Sequence, residues 1–396
     1  MSKKHDVIVV GGGLAGLSLT IMLADKGVRV LCLDRDRPSR QTRPAFDGRT
    51  TALAAAAKSC LGQIGVWREL APHASPIHDI LVTDQGAPRT LHFDHRVAGE
   101  PFGWIVENHR LRTALGRRVA ALPSASLSPE TQVAGIETSP HGAKVAAMTA
   151  QGEKIFQANL IAGADGRHSF CRRQAGIAWH GQDYWQASVV CVIEHDKPHH
   201  HLAVEDFLPG GPLASLPMRG NRSSIVWTHH RTTAASLQQM DEQEFCRRLE
   251  AHLAPMLGGV RLAGKRFVYG LSCYHAARYT APRLALAGEA AHVMHPIAGQ
   301  GFNLSMRDNQ CLAGLVDEAL GLGLDCGGRE VLRRYQRARR ADNCLMLAAT
   351  DGLDRLFSNS VPGLRLVRQT GLAAVDRMPK LKKFFMRAAM GHLAVT

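Results

Sequence analysis

No stretch of the 396-residue sequence is both apolar enough and long enough to cross a membrane as a helix, which takes roughly 20 residues. Residues 1–6 lead straight into an apolar strand and contain no small-residue cleavage site of the kind that ends a secretory signal. These two absences argue against a helical membrane protein and against secretion. We therefore expect a cytoplasmic protein.

The nine cysteines form no Cys-x-x-Cys pair, are odd in number and are scattered along the chain. This distribution is typical of reduced thiols and favours neither disulfides nor a cysteine zinc site. The histidines at 199–201, and the pair His292 and His295, lack further ligands at the spacing that a metal site needs. We expect no metal and interpret these histidines as loop residues.

Acidic residues are fewer than basic ones, 34 against 48, so the formal net charge is +14. Residues 329–396 alone hold 14 Lys and Arg against five Asp and Glu. A basic region can bind nucleic acid, an anionic membrane surface or an acidic protein. We expect no nucleic acid because the sequence has no nucleic-acid-binding motif and seldom places aromatic residues among the charges.

The N-terminal region has the pattern of a dinucleotide-binding unit. Residues 6–10 are typical of a buried parallel strand, and Gly11, Gly13 and Gly16 follow as Gly-x-Gly-x-x-Gly. Gly11 makes the tight turn, Gly13 lets the backbone approach a pyrophosphate, and Gly16 lets helix and strand pack closely. A second apolar strand ends on Asp34, which can accept hydrogen bonds from the ribose of either FAD or NAD.

Two later segments also join an apolar strand to a turn of small residues. In the first, residues 160–162 run into Gly-Ala-Asp-Gly at 163–166, and Ser169 can begin a helix. In the second, residues 283–287 run into Gly-Glu, and Pro-x-x-Gly-Gln-Gly-x-Asn at 296–303 precedes an amphipathic helix. Small residues let a flat ring lie against the backbone, and the N–H groups of a helix start can stabilise negative charge on a reduced flavin.

Together the three segments resemble the class A flavoprotein monooxygenases, the family of p-hydroxybenzoate hydroxylase. The resemblance implies FAD, with the second segment contacting both FAD and NAD(P)H and the third holding the ribityl chain and the pyrophosphate. It implies no side chain as nucleophile or acid–base catalyst, and it places the loop with Pro296, Gly299 and Gln300 against the flavin. The family usually has Asp where this chain has Glu289, whose carboxylate lies one methylene further out.

Further stretches narrow the resemblance. Residues 46–53 are similar to the segment in which an arginine, here Arg49, reaches the flavin, and residues 103–112 are similar to the start of another FAD-contacting helix. The chain is similar essentially end to end to the ubiquinone-biosynthesis hydroxylases, the bacterial UbiH/UbiF group, including the stretches 295–303, 352–359, 371–377 and 379–391. The cofactor-binding residues expected from the resemblance are Gly11, Gly13, Gly16, Asp34, Arg35, Arg49, Asn108, Arg112, Gly163, Asp165, Gly166, Gly288, Glu289, Gly299, Gly301, Phe302 and Asn303.

The resemblance also implies a reaction. NAD(P)H would reduce FAD, the reduced flavin would react with O2, and a C4a-hydroperoxide would deliver oxygen to a polyprenylated phenol. Two alternatives stay open. One is a related enzyme of the same fold that acts on a small soluble phenol or forms an epoxide. The other is a non-catalytic scaffold subunit, and Glu289 is the only feature of the sequence that favours it.

We expect an α/β fold: a Rossmann-type FAD-binding domain, a mostly antiparallel substrate-binding sheet domain and a basic helical C-terminal region. The FAD-binding domain is predicted at residues 1–75, 101–176 and 274–328. The sheet domain is predicted at 76–100 and 177–273, because residues 177–273 alternate strand-like runs with turns and lack flavin motifs. The helical region would be 329–396. No pocket residue of the sheet domain can be named from the sequence.

The end of the C-terminal region mixes apolar and basic residues as an interfacial helix does. Leu381, Phe384, Phe385 and Met386 alternate with Lys380, Lys382, Lys383 and Arg387. Such a helix would bring the protein to the inner face of the cytoplasmic membrane, or to other ubiquinone-biosynthesis proteins. The alternative is a helix packed on its own domain or on a partner protein, with its basic face in solvent.

Overall fold

The computed structural model describes residues 4–43, 48–84 and 90–357, and in the tail residues 378, 380, 382–383, 386–387 and 390–391. Several sequence interpretations concern residues outside this part of the chain. They are the start of the 46–53 segment, the stretches at 358–359 and 371–377, and Leu381, Phe384 and Phe385.

The described residues form strands, α-helices and three short 3-10 helices. The strands are β1 (His5–Val10), β2 (Val30–Leu33), β3 (Thr50–Ala54), β4 (Ser75–Ile77), β5 (Asp79–Asp84), β6 (Leu91–Asp94), β7 (Gly103–Glu107), β8 (Ala125–Ser128), β9 (Gln132–Ser139), β10 (Gly142–Thr149), β11 (Gly152–Gly163), β12 (Trp179–His195), β13 (Leu202–Leu208), β14 (Gly211–Pro217), β15 (Arg222–His230), β16 (Val260–Leu262), β17 (Phe267–Ala276), β18 (Thr280–Ala281), β19 (Leu284–Leu286) and β20 (His292–Val293). The α-helices are α1 (Leu14–Ala24), α2 (Pro38–Gln41), α3 (Ala55–Gln63), α4 (Trp67–Leu70), α5 (His95–Ala98), α6 (Asn108–Ala120), α7 (Phe170–Gln174), α8 (Arg231–Gln239), α9 (Glu242–Leu257), α10 (Gly301–Gly321) and α11 (Arg329–Phe357). The 3-10 helices are Ala71–His73, Gly288–Ala290 and Ile297–Gly299.

The first sheet has the strand order β18-β19-β11-β1-β2-β8, and β10 and β9 extend from β11. The five strands from β19 to β8 in this order run parallel. Val7, Ile8 and Val9 of β1 are completely buried, as expected of a parallel strand covered on both faces. Because Val10 pairs with Gly163 and Gly163 pairs with Leu286, the carboxyl ends of β1, β11 and β19 lie side by side.

The second sheet has the order β20-β17-β12-β15-β14-β13-β5-β6, with β16 beside β12. Its pairs are antiparallel except for β13 with β5. Successive side chains of a strand point to opposite faces. One face packs on α8 and α9 through a buried cluster that includes Val189, Ile225 and Trp227. The other face includes Val192, Leu216 and Phe207. It packs against residues of β4 and β7 and against Ile297.

A three-stranded sheet, β3-β7-β4, lies between the two larger sheets. The hydroxyl groups of Thr50 in β3 and Ser224 in β15 are hydrogen-bonded at 2.9 Å. The predicted α/β fold, with a Rossmann-type unit, a mostly antiparallel second sheet and a helical C-terminal segment, is confirmed. The domain boundaries stay a prediction.

One completely buried carboxylate, Asp308 of α10, joins α10 to α11 and to the turn after β19. Its Oδ1 accepts hydrogen bonds from Arg339 Nε at 2.8 Å and Asn343 Nδ2 at 3.0 Å. Its Oδ2 accepts one from the backbone N–H of Gly288 at 3.1 Å and lies 2.6 Å from His292 Nε2. Burial by itself raises the pKa of Asp308, but the charges and hydrogen bonds of His292 and Arg339 outweigh it and lower the pKa to about 2.

In the described part of the tail, two methionines are buried and three basic residues are exposed. Met386 and Met390 are buried in an apolar cluster with residues of β4, β7 and the second sheet. The basic residues Lys380, Lys383 and Arg387 are exposed. This arrangement agrees with the alternative in which the helix packs on its own domain. Within the described residues, no helix is long and apolar enough to cross a membrane.

Replacing Asp308 tests the buried anchor. Asp308→Ala is expected to lower the free energy of unfolding by about 3 kcal/mol, because Arg339 and His292 lose a buried carboxylate and Arg339 keeps only its ion pair with Asp342 at 2.6 Å. The control is Asp317→Ala on the same helix, which removes a surface ion pair to Lys26 at 2.8 Å. That change should alter stability by less than about 1 kcal/mol. Urea unfolding at pH 7 measures both, and equal effects would contradict the anchor.

The same carboxylate predicts a pH dependence. The pKa of Asp308 in the folded protein, about 2, lies below its ordinary 3.8, so its stabilising contribution is present above about pH 4 and is lost as the pH falls towards 2. The stability difference between the wild type and Asp308→Asn should therefore shrink in acid. A difference that stays constant from neutral pH to the acid transition would show that charge is not what Asp308 contributes.

Candidate functional site

Three turns, separated by more than a hundred residues in the chain, meet at the carboxyl edge of the first sheet. The backbone N–H of Ala164 donates to Val10 O at 2.8 Å, and that of Ala287 donates to Gly163 O at 2.9 Å. The turns after β1, β11 and β19 are therefore neighbours. In open α/β sheets this edge is where ligands bind.

The glycines after β1 shape the first turn. Gly11 has a φ of +104°, and a Cβ there would lie 2.5 Å from Ala164 O in the neighbouring turn. A Cβ at Gly16 would overlap the Gly11 carbonyl oxygen, whereas one at Gly13 would meet open space. Among the described residues, no side chain caps the N-terminus of α1. The turn thus leaves free N–H groups at a helix start facing unfilled space, which suits a phosphate.

Asp34 follows β2, next to this turn. Its Oδ1 accepts a hydrogen bond from the Asp36 N–H at 2.9 Å, and burial raises its pKa. A Cβ on Gly12 would collide with the Asp34 carboxylate, so the loop backbone passes directly beside it. Arg35 is exposed and lines an open cleft of about 460 Å³ together with Arg40 and other residues.

The second turn carries a buried carboxyl oxygen without a partner. Asp165 Oδ2 accepts a hydrogen bond from the Cys171 N–H at 3.0 Å, but Asp165 Oδ1 is buried and has no hydrogen-bond partner among the described residues. A Cβ at Gly163 would lie 2.8 Å from the Cys171 Cβ, and one at Gly166 would meet open space. Such an orphaned oxygen needs a donor that the described chain does not provide, and a ribose or ribityl hydroxyl is one.

Arg172 of α7 links the second turn to the third. Its Nη1 donates to Ala290 O and its Nη2 to Arg167 O, both at 3.0 Å. Its guanidinium lies 3.8 Å from the centre of the Trp179 ring. Burial lowers the pKa of Arg172, and the charge of Asp165 partly offsets this effect. Nothing in the sequence indicates this role of Arg172, because its link to the third turn is a backbone carbonyl 118 residues further along the chain.

The third turn begins at Gly288 and continues through the loop at 296–303. Gly288 packs against Ser305 and Ala15 with no room for a larger residue, and Glu289 beside it is exposed. Gly299 has a φ of +61°, and a Cβ there would lie 3.0 Å from the Ala52 Cβ of β3. Pro296 is exposed, Gln300 is buried and Phe302 is half-buried.

Asn303 and Gly301 lie at the start of α10, where no side chain caps the helix. The Asn303 amide accepts a hydrogen bond from the Ala54 N–H at 3.0 Å and donates to Ala52 O at 3.1 Å. It therefore fixes the helix start against β3, and direct contact of Asn303 with a cofactor stays a prediction. A Cβ at Gly301 would meet open space.

The remaining predicted residues lie around β3 and α6. Arg49 is exposed, and its guanidinium lies 5.0 Å from the centre of the Tyr269 ring in the second sheet. Asn108 begins α6, and its Oδ1 accepts a hydrogen bond from Thr51 Oγ1 at 2.6 Å. Arg112 is buried, with Nη1 3.4 Å from the backbone oxygen of residue 41.

These features fit FAD. Two uncapped helix starts, at α1 and α10, converge on one edge of the sheet and suit an anionic pyrophosphate. Asp34 and the unpartnered Asp165 Oδ1 can each accept a hydroxyl donor. The open space at Gly13, Gly166 and Gly301 is where a ligand can approach the backbone.

The comparisons with known proteins agree. The FAD binding domain family model matches residues 4–348. The chain is 44% identical over 391 residues to ubiquinone hydroxylase UbiL of Rhodospirillum rubrum, covering 99% of this chain and 90% of that protein. It is 32% identical to the 3-demethoxyubiquinol 3-hydroxylase of Escherichia coli, covering 98% of this chain and 99% of that protein. The p-nitrophenol 4-monooxygenase PnpA of Pseudomonas putida has the same fold, with a TM-score of 0.82, 19% identity and coverage of 98% and 99%.

The fold and the three turns define an FAD-dependent flavoprotein monooxygenase of class A. Within that class, the chain belongs to the ubiquinone-biosynthesis hydroxylase family.

Of the histidines interpreted as loop residues, His199 and His292 have hydrogen-bonding partners, and His292 lies in the short strand β20 rather than in a loop. His199 Nε2 lies 2.7 Å from Met218 O, and His292 contacts Asp308. His295 is completely buried, and burial lowers its pKa to about 4. Among the described residues, ligand atoms of Asp79, Asp94 and His95 lie within 4.8 Å of one another, but Arg96 already pairs with Asp94 at 2.7 Å.

Gly299→Val is expected to abolish or strongly reduce FAD binding. A β-branched residue disfavours the positive φ, and its Cβ would press on Ala52 and displace the loop. The control is Gly314→Ala in α10, where a Cβ meets open space. Visible absorbance per mole of purified protein gives the FAD content. A yellow Gly299→Val protein with the FAD content of the control would contradict the placement of the flavin at this loop.

Proposed function

We propose that this protein hydroxylates the ring of a polyprenylated phenol in ubiquinone biosynthesis, with FAD as cofactor and NAD(P)H and O2 as cosubstrates. The proposal rests on the contact between the second sheet and the loop at residues 296–303, which we call the flavin-facing loop. Ile297 of the loop packs with Phe207 of β13 and Leu91 of β6 in one buried apolar cluster. Relatives named ubiquinone hydroxylase and 3-demethoxyubiquinol 3-hydroxylase support the choice of ring and pathway.

When bound, FAD supplies electron transfer and the activation of O2. The chain's own residues bind the cofactor and the substrate, orient them towards each other and shield them from water. We place the cofactor in the unit formed by residues 1–75, 101–176 and 274–328, with its pyrophosphate at the N-terminus of α1 and its ring at Pro296, Gly299 and Gln300. The substrate lies against the unit formed by 76–100 and 177–273.

The apolar face of the second sheet gives the substrate a dry site. Val82, Leu91, Phe93 and Phe207 cluster there with Ile297. A polyprenyl chain gains free energy by leaving water for such a surface, and the exclusion of water protects reactive intermediates. The apolar lining therefore favours the prenylated phenol over the small soluble one.

The basic side of the tail offers a route to the membrane, where a polyprenylated substrate resides. Lys380, Lys383 and Arg387 are exposed beside the buried Met386 and Met390. Each such cation contributes about 1 kcal/mol of attraction near an anionic lipid surface. We propose that this side lies on the inner face of the cytoplasmic membrane, or on other ubiquinone-biosynthesis proteins, while the methionines stay packed on the protein.

The purified protein is expected to show the absorbance of oxidised flavin. Under anaerobic conditions NADPH or NADH should bleach it, and the bleaching should be faster when 2-farnesylphenol is present. Admission of air should then yield a hydroxylated farnesylphenol. Stopped-flow absorbance and mass spectrometry measure the two steps.

Three results would contradict the proposal in different ways. Product from 4-hydroxybenzoate and none from 2-farnesylphenol would favour the soluble-phenol alternative. A yellow protein that neither nucleotide reduces would exclude NAD(P)H as the reductant. A colourless protein that cannot be reconstituted with FAD would favour the scaffold, and Glu289→Asp would then show whether the longer side chain is responsible.

A further inference from the structure

The second sheet carries a carboxyl side chain, Glu205 of β13, on the face that meets the flavin-facing loop. Phe207, two residues later on the same strand, belongs to the cluster with Ile297. Ala203, two residues earlier, belongs to the other cluster on this face. Side chains of a strand alternate between faces, so Glu205 lies between these two on the loop side. Its neighbour Asp206 is on the opposite face, where Oδ1 accepts a hydrogen bond from Thr83 Oγ1 at 2.5 Å.

The surroundings of Glu205 are apolar. Val82 of β5 and Ala214 of β14 lie directly opposite it in the two neighbouring strands. On this face, the described parts of β5, β6 and β14 place only one other titratable side chain, Asp84, which is opposite Phe207. Burial raises the pKa of Glu205 to about 7, and no charge or hydrogen bond from the described residues offsets the effect.

A buried carboxyl without a partner destabilises a folded protein. Glu205 as a whole residue is half-buried, whereas Ala203 and Phe207 on either side of it are buried. Its side chain lies on the face of the sheet that meets the loop, next to Phe207, which packs on Ile297. A phenol bound between the sheet and the loop at 296–303 would therefore lie beside Glu205.

We propose that Glu205 is a catalytic residue that binds the ring hydroxyl of the phenol substrate and accepts its proton. The inference rests on the proposed function and adds to it the group that recognises the phenol, and it departs from the expectation, drawn from the resemblance, that no side chain acts as an acid–base catalyst. The carboxylate first accepts a hydrogen bond from the hydroxyl. The O–H bond then breaks, the proton moves to a Glu205 carboxyl oxygen, and the electron pair stays on the phenol oxygen, which makes the ring more electron-rich. The apolar neighbours offer no other acceptor, so the proton is shared between the Glu205 carboxylate and the phenol oxygen only.

The test compares two ligands on the FAD-loaded protein: 2-farnesylphenol and its methyl ether, which lacks the hydroxyl hydrogen. Titration is followed by the change in the flavin absorbance spectrum. The wild type should bind the phenol about tenfold more tightly than the ether, because only the phenol donates a hydrogen bond to the charged carboxylate. In Glu205→Leu the two affinities should agree within about a factor of two. Glu205→Gln, which retains an acceptor oxygen, should restore part of the preference and little of the turnover.

Asp206→Asn is the matched control, because it changes the adjacent carboxyl on the opposite face. It should keep the ligand preference and the turnover of the wild type.

Thermal unfolding separates a catalytic role of Glu205 from a structural one. Glu205→Leu should raise the melting temperature, and the gain should grow from pH 5 to pH 8, because a carboxyl with a raised pKa in the folded state loses stability as the pH rises.

The outcomes distinguish the role of Glu205 from the proposed function on which that role rests. A Glu205→Leu protein that still prefers the phenol tenfold, or that turns it over at the wild-type rate, overturns the role of Glu205 and leaves the proposed function standing. A lower melting temperature in both Glu205 variants would show a structural role instead. A wild-type protein that binds FAD but neither ligand overturns both.

Discussion

The side-by-side pairing of β1, β11 and β19 is the constraint on which the rest of the site depends. Val10, Gly163 and Leu286 are neighbours in one parallel sheet, so the turns that follow them share one edge. Each turn alone is a short run of small residues. Together they present two helix starts without a side-chain cap and a carboxyl oxygen of Asp165 without a partner, as far as the described residues show, at the same edge of the sheet. Asp308 fixes the third turn through the Gly288 N–H, and Arg339 compensates its charge from α11.

The second sheet forms the opposite wall of the site, because its strands direct different side chains to its two faces. One face is covered by α8 and α9, and the other meets β3 and the loop at 296–303. Because the strands alternate strictly, Asp206 and Glu205 are adjacent in sequence but have opposite environments. Asp206 is hydrogen-bonded by Thr83, whereas Glu205 has no hydrogen-bond partner among the described residues and burial raises its pKa. The site therefore combines helix N-termini on one wall with an apolar surface that carries the carboxyl groups of Glu205 and Asp84 on the other.

The sequence predicted the turns because their signals are local. Gly11, Gly13, Gly16 and Asp34 stand at fixed spacing after a strand, and glycine is needed where the backbone bends sharply or passes close to another chain segment. The fold class could be predicted for the same reason. Asp308 could have been noticed, since it lies four residues after Leu304 and four before Leu312 on the apolar side of α10, where a lone carboxylate needs a partner.

Long-range contacts could not be predicted in this way. The Asn303 amide binds Ala52 and Ala54, about 250 residues earlier, so its place against β3 has no local signal. Arg339 and Asn343 come from α11, where Arg339 is one of many arginines and nothing local indicates which of them is buried. The strand Leu202–Leu208 contains two consecutive acidic residues, and only the strand pairing decides which of them faces the loop.

A crystal structure of the purified protein with FAD bound tests the central claim most directly. The account predicts the pyrophosphate at the N-terminus of α1, beside Gly13, and the isoalloxazine ring between the loop at 296–301 and the second sheet. Asp165 Oδ1 should then accept a hydrogen bond from the cofactor. An FAD bound elsewhere, or bound here with its ring directed away from the second sheet, would contradict the account.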